Sequence, residues 1–328
     1  MKNSSLHNQI LHIQDTSEFD RLALEILRYQ SISNELYKNY LHALKIAPHE
    51  LKSSLNIPFL PIEFFKNYAV KSGEFDPEIT FTSSATTGTG QSRHHIKNLS
   101  WYEAFFLKSF QSFYGEPSDY CILGLLPSYL ERSGSSLIYM VNRLIEMSGN
   151  KASGFFLYNH ETLAETIAAQ ECKGSRTLLI GVTFALLNFA EKHGMPLGHT
   201  IIMETGGMKG RGEELTREEV TEKLKTAFGL SVIHSEYGMT ELMSQAYSKG
   251  NGRFLCPPWM KVFVRDPSDP LSTMHSGTGA LNVIDLANMD SCAFIATHDL
   301  GKVYDDGSFE VTGRLDRSDI RGCNLLVY

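Results

Sequence analysis

Three runs of unbroken apolar sequence limit what this chain can fold into more than any other feature. They are YCILGLL (120–126), TLLIGV (177–182) and TIIM (200–203). A strand with one wet face alternates polar and apolar residues. A run without alternation belongs in a sheet covered on both sides, the pattern of parallel sheets with helices on their faces. Segments with helical spacing fill the intervals at 162–171 and 184–193, and shorter strands are expected at 154–157 and 230–233. Strand and helix therefore alternate, which defines an α/β fold with a mostly parallel sheet core.

Flanking segments complete the outline. Phe19, Leu22, Ala23, Ile26 and Leu27 recur at helical spacing behind Thr16 or Ser17 as caps, and a second helix is expected at 35–44. The stretch 57–65 (IPFLPIEFF) reads as extended chain, then a short helix. Ser100 with Glu103, and Thr216 with Glu219, have the spacing of capping boxes for helices at 100–113 and up to residue 227. Beyond residue 250, short strand-like pieces (253–265, 280–285, 292–297, 307–312) are separated by Gly, Asp and Pro, the pattern of a small antiparallel subdomain. The expected units are an N-terminal helical and extended segment at 1–80 packed on the core, an α/β core at 81–250, a β subdomain at 251–312 and a hinge-like tail at 313–328.

With 328 residues, the chain is long enough for two domains or one large one. Its net charge of -7 argues against a general nucleic-acid surface. Cys121, Cys172, Cys256, Cys292 and Cys323 form no C-x-x-C pair, so reduced thiols in a cytoplasmic protein are expected. The N-terminus has no signal-peptide core, and no apolar run has the length of a membrane span.

Candidate chemistry begins at 81–95, FTSSATTGTGQSRHH. Thr82, Ser83, Ser84, Thr86 and Thr87 offer hydroxyls, Gly88 and Gly90 loosen the backbone, and Arg93 adds charge. Hydroxyl and backbone N–H donors beside a cation suit a phosphate, while the same composition also makes an ordinary surface turn. It is not a Walker A loop. The stretch 128–136 lies where a strand gives way to a helix, the edge at which open α/β sheets bind ligands. Gly206 and Gly207 allow close approach to backbone, with Lys209 and Arg211 beside them.

Three later motifs follow this loop in order: Tyr237-Gly238-Met239-Thr240-Glu241, Thr297-His298-Asp299 and Gly313-Arg314-Leu315-Asp316. Together they resemble the adenylate-forming superfamily, which makes acyl-AMP from a carboxylic acid and ATP. The resemblance implies that Ser83, Ser84, Thr86, Thr87 and Gly88, with Arg93, hold the ATP phosphates. It implies that Tyr237 stacks on adenine beside Gly238, with Gly206 and Gly207 on the adenine side. Thr240 and Glu241 would serve the phosphate and Mg2+, with Glu241 as the metal ligand, while Asp299 and Arg314 would contact ribose. The chemistry is coherent: a carboxylate is a poor electrophile, attachment to AMP supplies a leaving group, and the approach of two anions needs Mg2+ and donors to offset charge.

The segments FDRLALEILRYQ, IPFLPIEFFK, GLLPSYLERSGSSLIYM, METGGMKGRGEE and SDIRGCNLLVY narrow the resemblance. They look like the acyl-protein synthetase (LuxE-type) family, the ligase subunit of bacterial fatty acid reductase. That resemblance covers nearly the whole chain. It implies an adenylate-forming N-terminal-domain-like fold, fatty acid activation, acyl transfer to Cys323, and delivery to an acyl-CoA reductase or acyltransferase partner. There are departures: Ala85 stands where Gly is common, Gly90 where Pro is common, and the C-terminal lid domain with its catalytic Lys is expected to be absent. Lys209, Arg211, Arg93 and Arg321 are the available replacement cations, and the sequence does not choose among them. Alternation in the tail also allows Cys323 to be a packed thiol on a strand, and His234 reads either as a base or as a strand-end packing residue. The competing functions are an acyl-CoA ligase and a non-catalytic scaffold that binds nucleotide or acyl groups.

Overall fold

The computed structural model describes residues 2–83, 90–126, 134–206 and 215–315. Helices α1 (Lys2–Leu11), α2 (Thr16–Ser33) and α3 (Glu35–Ala43) open the chain, followed by strand β1 (Leu60–Pro61), helix α4 (Phe64–Asn67) and the hairpin β2 (Ile79–Thr82) and β3 (Arg93–Ile96). Helix α5 (Leu99–Tyr114) leads into β4 (Cys121–Leu125), α6 (Ser136–Ser148), β5 (Gly154–Phe155), α7 (His160–Cys172), β6 (Thr177–Val182), α8 (Thr183–His193) and β7 (Thr200–Thr205). Then come α9 (Arg217–Phe228), β8 (His234–Tyr237), β9 (Ala246–Ser248), β10 (Met260–Asp266), β11 (Asp269–Met274), β12 (Gly277–Asp285), β13 (Phe294–Val303) and β14 (Phe309–Arg314).

The first sheet has the order β5-β4-β6-β7-β8-β9. Its pairings are parallel from β5 through β8, and β9 returns antiparallel to β8. Every residue of β4 and β6 is buried, the physical reason for their unbroken apolar sequence. Helix α6 packs on β4 and on α5, while α8 packs on β6, β7, α7 and α9. Chain order runs outward from β4 to β5 and then crosses back to β6. The strand order thus reverses between β4 and β6, the topological position at which open α/β sheets bind ligands beyond the carboxyl ends of their strands.

The second sheet has the order β1-β13-β12-β10-β11, with β14 on the other edge of part of β13. Its strands are antiparallel except for β1, which runs parallel to β13. The N-terminal helices are fastened to this half. Gln30, fully buried on α2, donates Nε2 to the carbonyls of Asn288, Met289 and Ser291, and its Oε1 accepts from the Ala293 N–H. One apolar core runs through both halves.

Local chemistry departs from the sequence reading in several places. Helix α2 is capped by Asp15, not by Thr16 or Ser17. Helix α5 is capped by Asn98, whose short amide reaches the N–H groups of Ser100 and Trp101; Glu103 instead ion-pairs with Arg143 at 3.0 Å and takes the Tyr139 hydroxyl. The Thr216–Glu219 capping box does form. The strand expected at 230–233 begins later, at His234, because Gly229 ends α9 in a left-handed turn (φ 64) and pairing with β7 starts only at Met203 opposite His234. Helix α1 was not anticipated; its Ile10 is buried in the core. Gly313 and Arg314 close strand β14, so the ordered sheet continues two residues into the segment read as a tail.

Candidate functional site

The carboxyl ends of β6, β7 and β8 bring polar groups together. Helix α8 starts directly after β6, and its first residue, Thr183, donates its hydroxyl to the Glu204 carboxylate and to the Gly206 carbonyl (2.8 Å). Gly206 ends β7 with φ 69, a conformation that favours glycine. Next door on β8, Glu236 accepts the hydroxyl of Thr205. Burial pushes the Glu236 carboxyl up to about 7, and the nearby Glu204 carboxyl adds to the shift; burial likewise raises Glu204.

One residue on, alternation turns Tyr237 toward the second sheet. Its ring packs on Phe254 and Phe309 at 5.8 and 5.1 Å between centroids. Its hydroxyl donates to Asp299 Oδ2 at 2.8 Å, and burial together with that carboxylate holds the phenol well above its ordinary value. Asp299 and Arg314 are direct partners across β13 and β14, with Arg314 Nε 3.3 Å from Asp299 Oδ1. The Arg314 side chain is 74% exposed. Three residues singled out in the sequence thus meet at the seam between the sheets. His298, beside Asp299, is turned to Glu63 at 2.6 Å.

The segment after Tyr237 is pinned mainly through its backbone. His94 on β3 contributes Nδ1 to the Thr240 carbonyl at 2.8 Å, and its Nε2 lies 2.8 Å from Asn288 Oδ1. Asn288 Nδ2 donates to the Glu241 carbonyl at 2.7 Å. Burial lowers His94 to about 4. The Met243 and Ser244 N–H groups donate to the buried Asp285 at 2.8 and 3.0 Å. The Glu241 carboxyl is itself buried and takes a hydrogen bond from Ser92; burial raises its pKa, the Arg314 charge opposes the rise, and Asp299 adds to it. The hairpin that carries the hydroxyl-rich loop therefore supports the Thr240–Glu241 turn from behind. His94 and Asn288 were missed by sequence reasoning, since a histidine between Arg93 and His95 and a single asparagine give no signal until the fold joins them.

The hairpin β2–β3 pairs Thr82 with Arg93. At its loop end the Ser83 N–H donates to the Ser92 carbonyl at 3.1 Å, and Ser83 Oγ accepts from the Ser92 N–H at 2.9 Å. Arg93 is exposed. Gly238 follows β8 and is exposed. Ser84, Thr86, Thr87, Gly88, Gly207, Lys209, Arg211, Arg321 and Cys323 lie outside the described residues. Of the described cysteines, burial raises Cys121, Cys256 and Cys292, the last to about 12, so these are poor nucleophiles. His234 packs on Tyr114, with Nδ1 3.1 Å from the tyrosine oxygen, and burial lowers it to about 4. Among the described residues, no group of three His, Cys, Asp or Glu side chains gathers to hold a metal, and no helix is long and apolar enough to cross a membrane.

No family model matches the sequence, and no curated protein matches it. The architecture is nonetheless that of the N-terminal domain of adenylate-forming enzymes: a parallel α/β sheet joined to a smaller antiparallel sheet. Among solved structures, a long-chain-fatty-acid–CoA ligase from Archaeoglobus fulgidus superposes with a TM-score of 0.53 at 15% identity, over 75% of this chain and 53% of the other. The amide bond synthetase McbA from Marinactinospora thermotolerans gives 0.50 at 18% identity, over 72% and 49%. The chain spans about half the length of these two proteins, and at such identities the likeness is one of fold.

Proposed function

We propose that this chain activates a carboxylic acid as acyl-AMP and then carries the acyl group on its own Cys323. In the first step the acid's carboxylate oxygen attacks the α-phosphorus of ATP, and pyrophosphate leaves. In the second step the Cys323 thiolate attacks the acyl carbonyl, AMP leaves, and a thioester remains. The observation that carries the reading is the junction of Tyr237, Asp299 and Arg314 beside the buried Glu241, at the carboxyl edge of the sheet in an adenylate-forming fold. Asp299 has two oxygens able to accept ribose hydroxyls in place of Tyr237 and Arg314. Tyr237 borders the expected adenine site, and the hydroxyl-rich loop with Ser83, Ser84, Thr86, Thr87 and Gly88 is read as the phosphate cradle. Mg2+ fits the set: Glu241 offers one carboxylate, and this ion commonly takes one or two carboxylates beside substrate phosphates and water. When bound it would offset phosphate charge.

The family resemblance at the C-terminal segment points to a fatty acid as substrate and a reductase or acyltransferase as the acceptor of the thioester. A second reading, acyl transfer to coenzyme A, is favoured by the structural likeness to a fatty-acid–CoA ligase. One experiment separates them: mass spectrometry of the protein after incubation with ATP, Mg2+ and a set of carboxylic acids. Wild type should gain a hydroxylamine-labile acyl mass, and Cys323→Ser should release pyrophosphate without gaining it. Acyl-CoA formation by Cys323→Ser with added coenzyme A selects the second reading. Absence of pyrophosphate from both proteins with every acid removes adenylation altogether.

A further inference from the structure

Strand β13 is irregular at the place where it carries Asp299. Its register against β12 sets Ala296 opposite Asn282, and the next regular pair is Leu300 opposite Ala280. Thr297, His298 and Asp299 therefore stand against the single residue Leu281. A bulge of this kind interrupts the ladder and re-aims side chains. Here His298 is turned to Glu63 and Asp299 to the Tyr237 hydroxyl. A second shift, between Leu300 and Gly301, sets Arg314 across from Asp299 where an unbroken register would set Gly313.

The bulge is buried, with Thr297 at 0% and Asp299 at 8% exposure, so backbone groups that the ladder gives up need other partners. One side chain supplies them. Arg265 lies on β10, and its register partner on β12 is the small Ala280. Its guanidinium reaches across β12 to β13. Nη1 donates to the Leu281 carbonyl at 2.9 Å and to Asn282 Oδ1 at 2.8 Å, and Nη2 donates to the Thr297 carbonyl at 2.5 Å. Thr297 Oγ1 donates to the same Leu281 carbonyl at 2.8 Å and accepts the Asp299 N–H at 3.1 Å. Hydrogen bonds thus run without a break from Arg265 through Leu281 and Thr297 to the backbone of Asp299. All three acceptors of the guanidinium are neutral oxygens. A buried charge held in this way is costly, and an apolar residue would serve a regular strand better.

We propose that Arg265 is a positioning residue for the nucleotide: it holds the 297–299 bulge, and the bulge aims Asp299 at the ribose hydroxyls. The inference rests on the reading of Asp299 as the ribose acceptor. The geometry suits arginine in particular. Its planar fork serves two strands in fixed directions, whereas a lysine ammonium is a point charge on a flexible stem. Without the fork the buried Thr297 carbonyl loses its donor, the bulge relaxes, and Asp299 loses its fixed place beside Tyr237.

Titration calorimetry on the full chain, with Mg2+, compares ATP with 2′,3′-dideoxy-ATP, which keeps the base and phosphates and lacks both hydroxyls. Wild type should prefer ATP by at least about tenfold. Arg265→Lys and Thr297→Val should each lower that preference about three- to tenfold and leave dideoxy-ATP affinity within about twofold. Thr297→Val keeps the side-chain shape and carries the test if Arg265→Lys fails to fold. A preference unchanged in the folded variants overturns the proposal, as does a wild type that binds both nucleotides equally or neither. Equal losses for both nucleotides also overturn it, by giving Arg265 a general structural role. Pyrophosphate release with carboxylic acids is followed separately. A preference lost in the variants, with no pyrophosphate from wild type, sinks adenylation and leaves Arg265 its role. Pyrophosphate from wild type with an unchanged preference in the variants does the reverse.

Discussion

Replacing Glu236 by Gln should stabilise the protein, and the gain should depend on pH. In the unfolded chain this carboxyl titrates near its ordinary 4.5; in the fold, burial and the adjacent Glu204 hold it at about 7. Between those values the native state keeps a proton that the unfolded state has lost. Stability therefore falls as pH rises through that window and levels off above it. At 1.36 kcal/mol per unit, the charge penalty reaches about 3 kcal/mol above pH 7. Glutamine has nearly the same shape, still accepts from Thr205, and does not titrate. Glu236→Gln should then be close to neutral at pH 4.5 and more stable than wild type by about 3 kcal/mol at pH 8. Loss of repulsion on Glu204 acts in the same direction. Urea unfolding of both proteins at several pH values gives the difference directly. His94 and His234, lowered to about 4, and Asp285, raised to about 6, titrate in both proteins and cancel. A difference that does not change between pH 4.5 and 8 would refute the assignment of Glu236 as a buried carboxyl held above its ordinary pKa by desolvation.

Two further outcomes follow, one from the seam between the sheets and one from the second sheet itself. Tyr237→Phe removes a buried hydrogen bond to a carboxylate and should cost about 1.5–3 kcal/mol in urea unfolding, while Arg314→Ala, whose side chain is largely exposed, should cost at most about 1 kcal/mol; the reverse order would mean that Tyr237 is not the main partner of Asp299. Gly301→Ala would put a methyl 2.0 Å from the Glu310 carbonyl oxygen on β14 and 3.1 Å from Leu281 Cδ1. Backbone cannot swing aside, so a loss above about 3 kcal/mol is expected, and a wild-type urea midpoint would show that β14 does not lie against β13 as described.

The sequence by itself determined the sheet class, because burial on both faces can be read wherever apolar residues run without alternation, as in β4 and β6. It also marked Tyr237, Asp299 and Arg314, since chemistry-bearing residue types at motif spacing are a local signal. It misplaced caps and strand ends, where Asn98 and Asp15 compete with neighbouring residues of equal propensity and tertiary pairing decides. Only the tertiary structure could show that Tyr237 donates to a carboxylate 62 residues away, or that His94 and Asn288 hold the Thr240–Glu241 turn. The same holds for Glu236, which in sequence is an ordinary glutamate beside a motif tyrosine. Its character comes from desolvation and from the like-charged Glu204 on the adjacent strand, and both are properties of the neighbours that packing supplies.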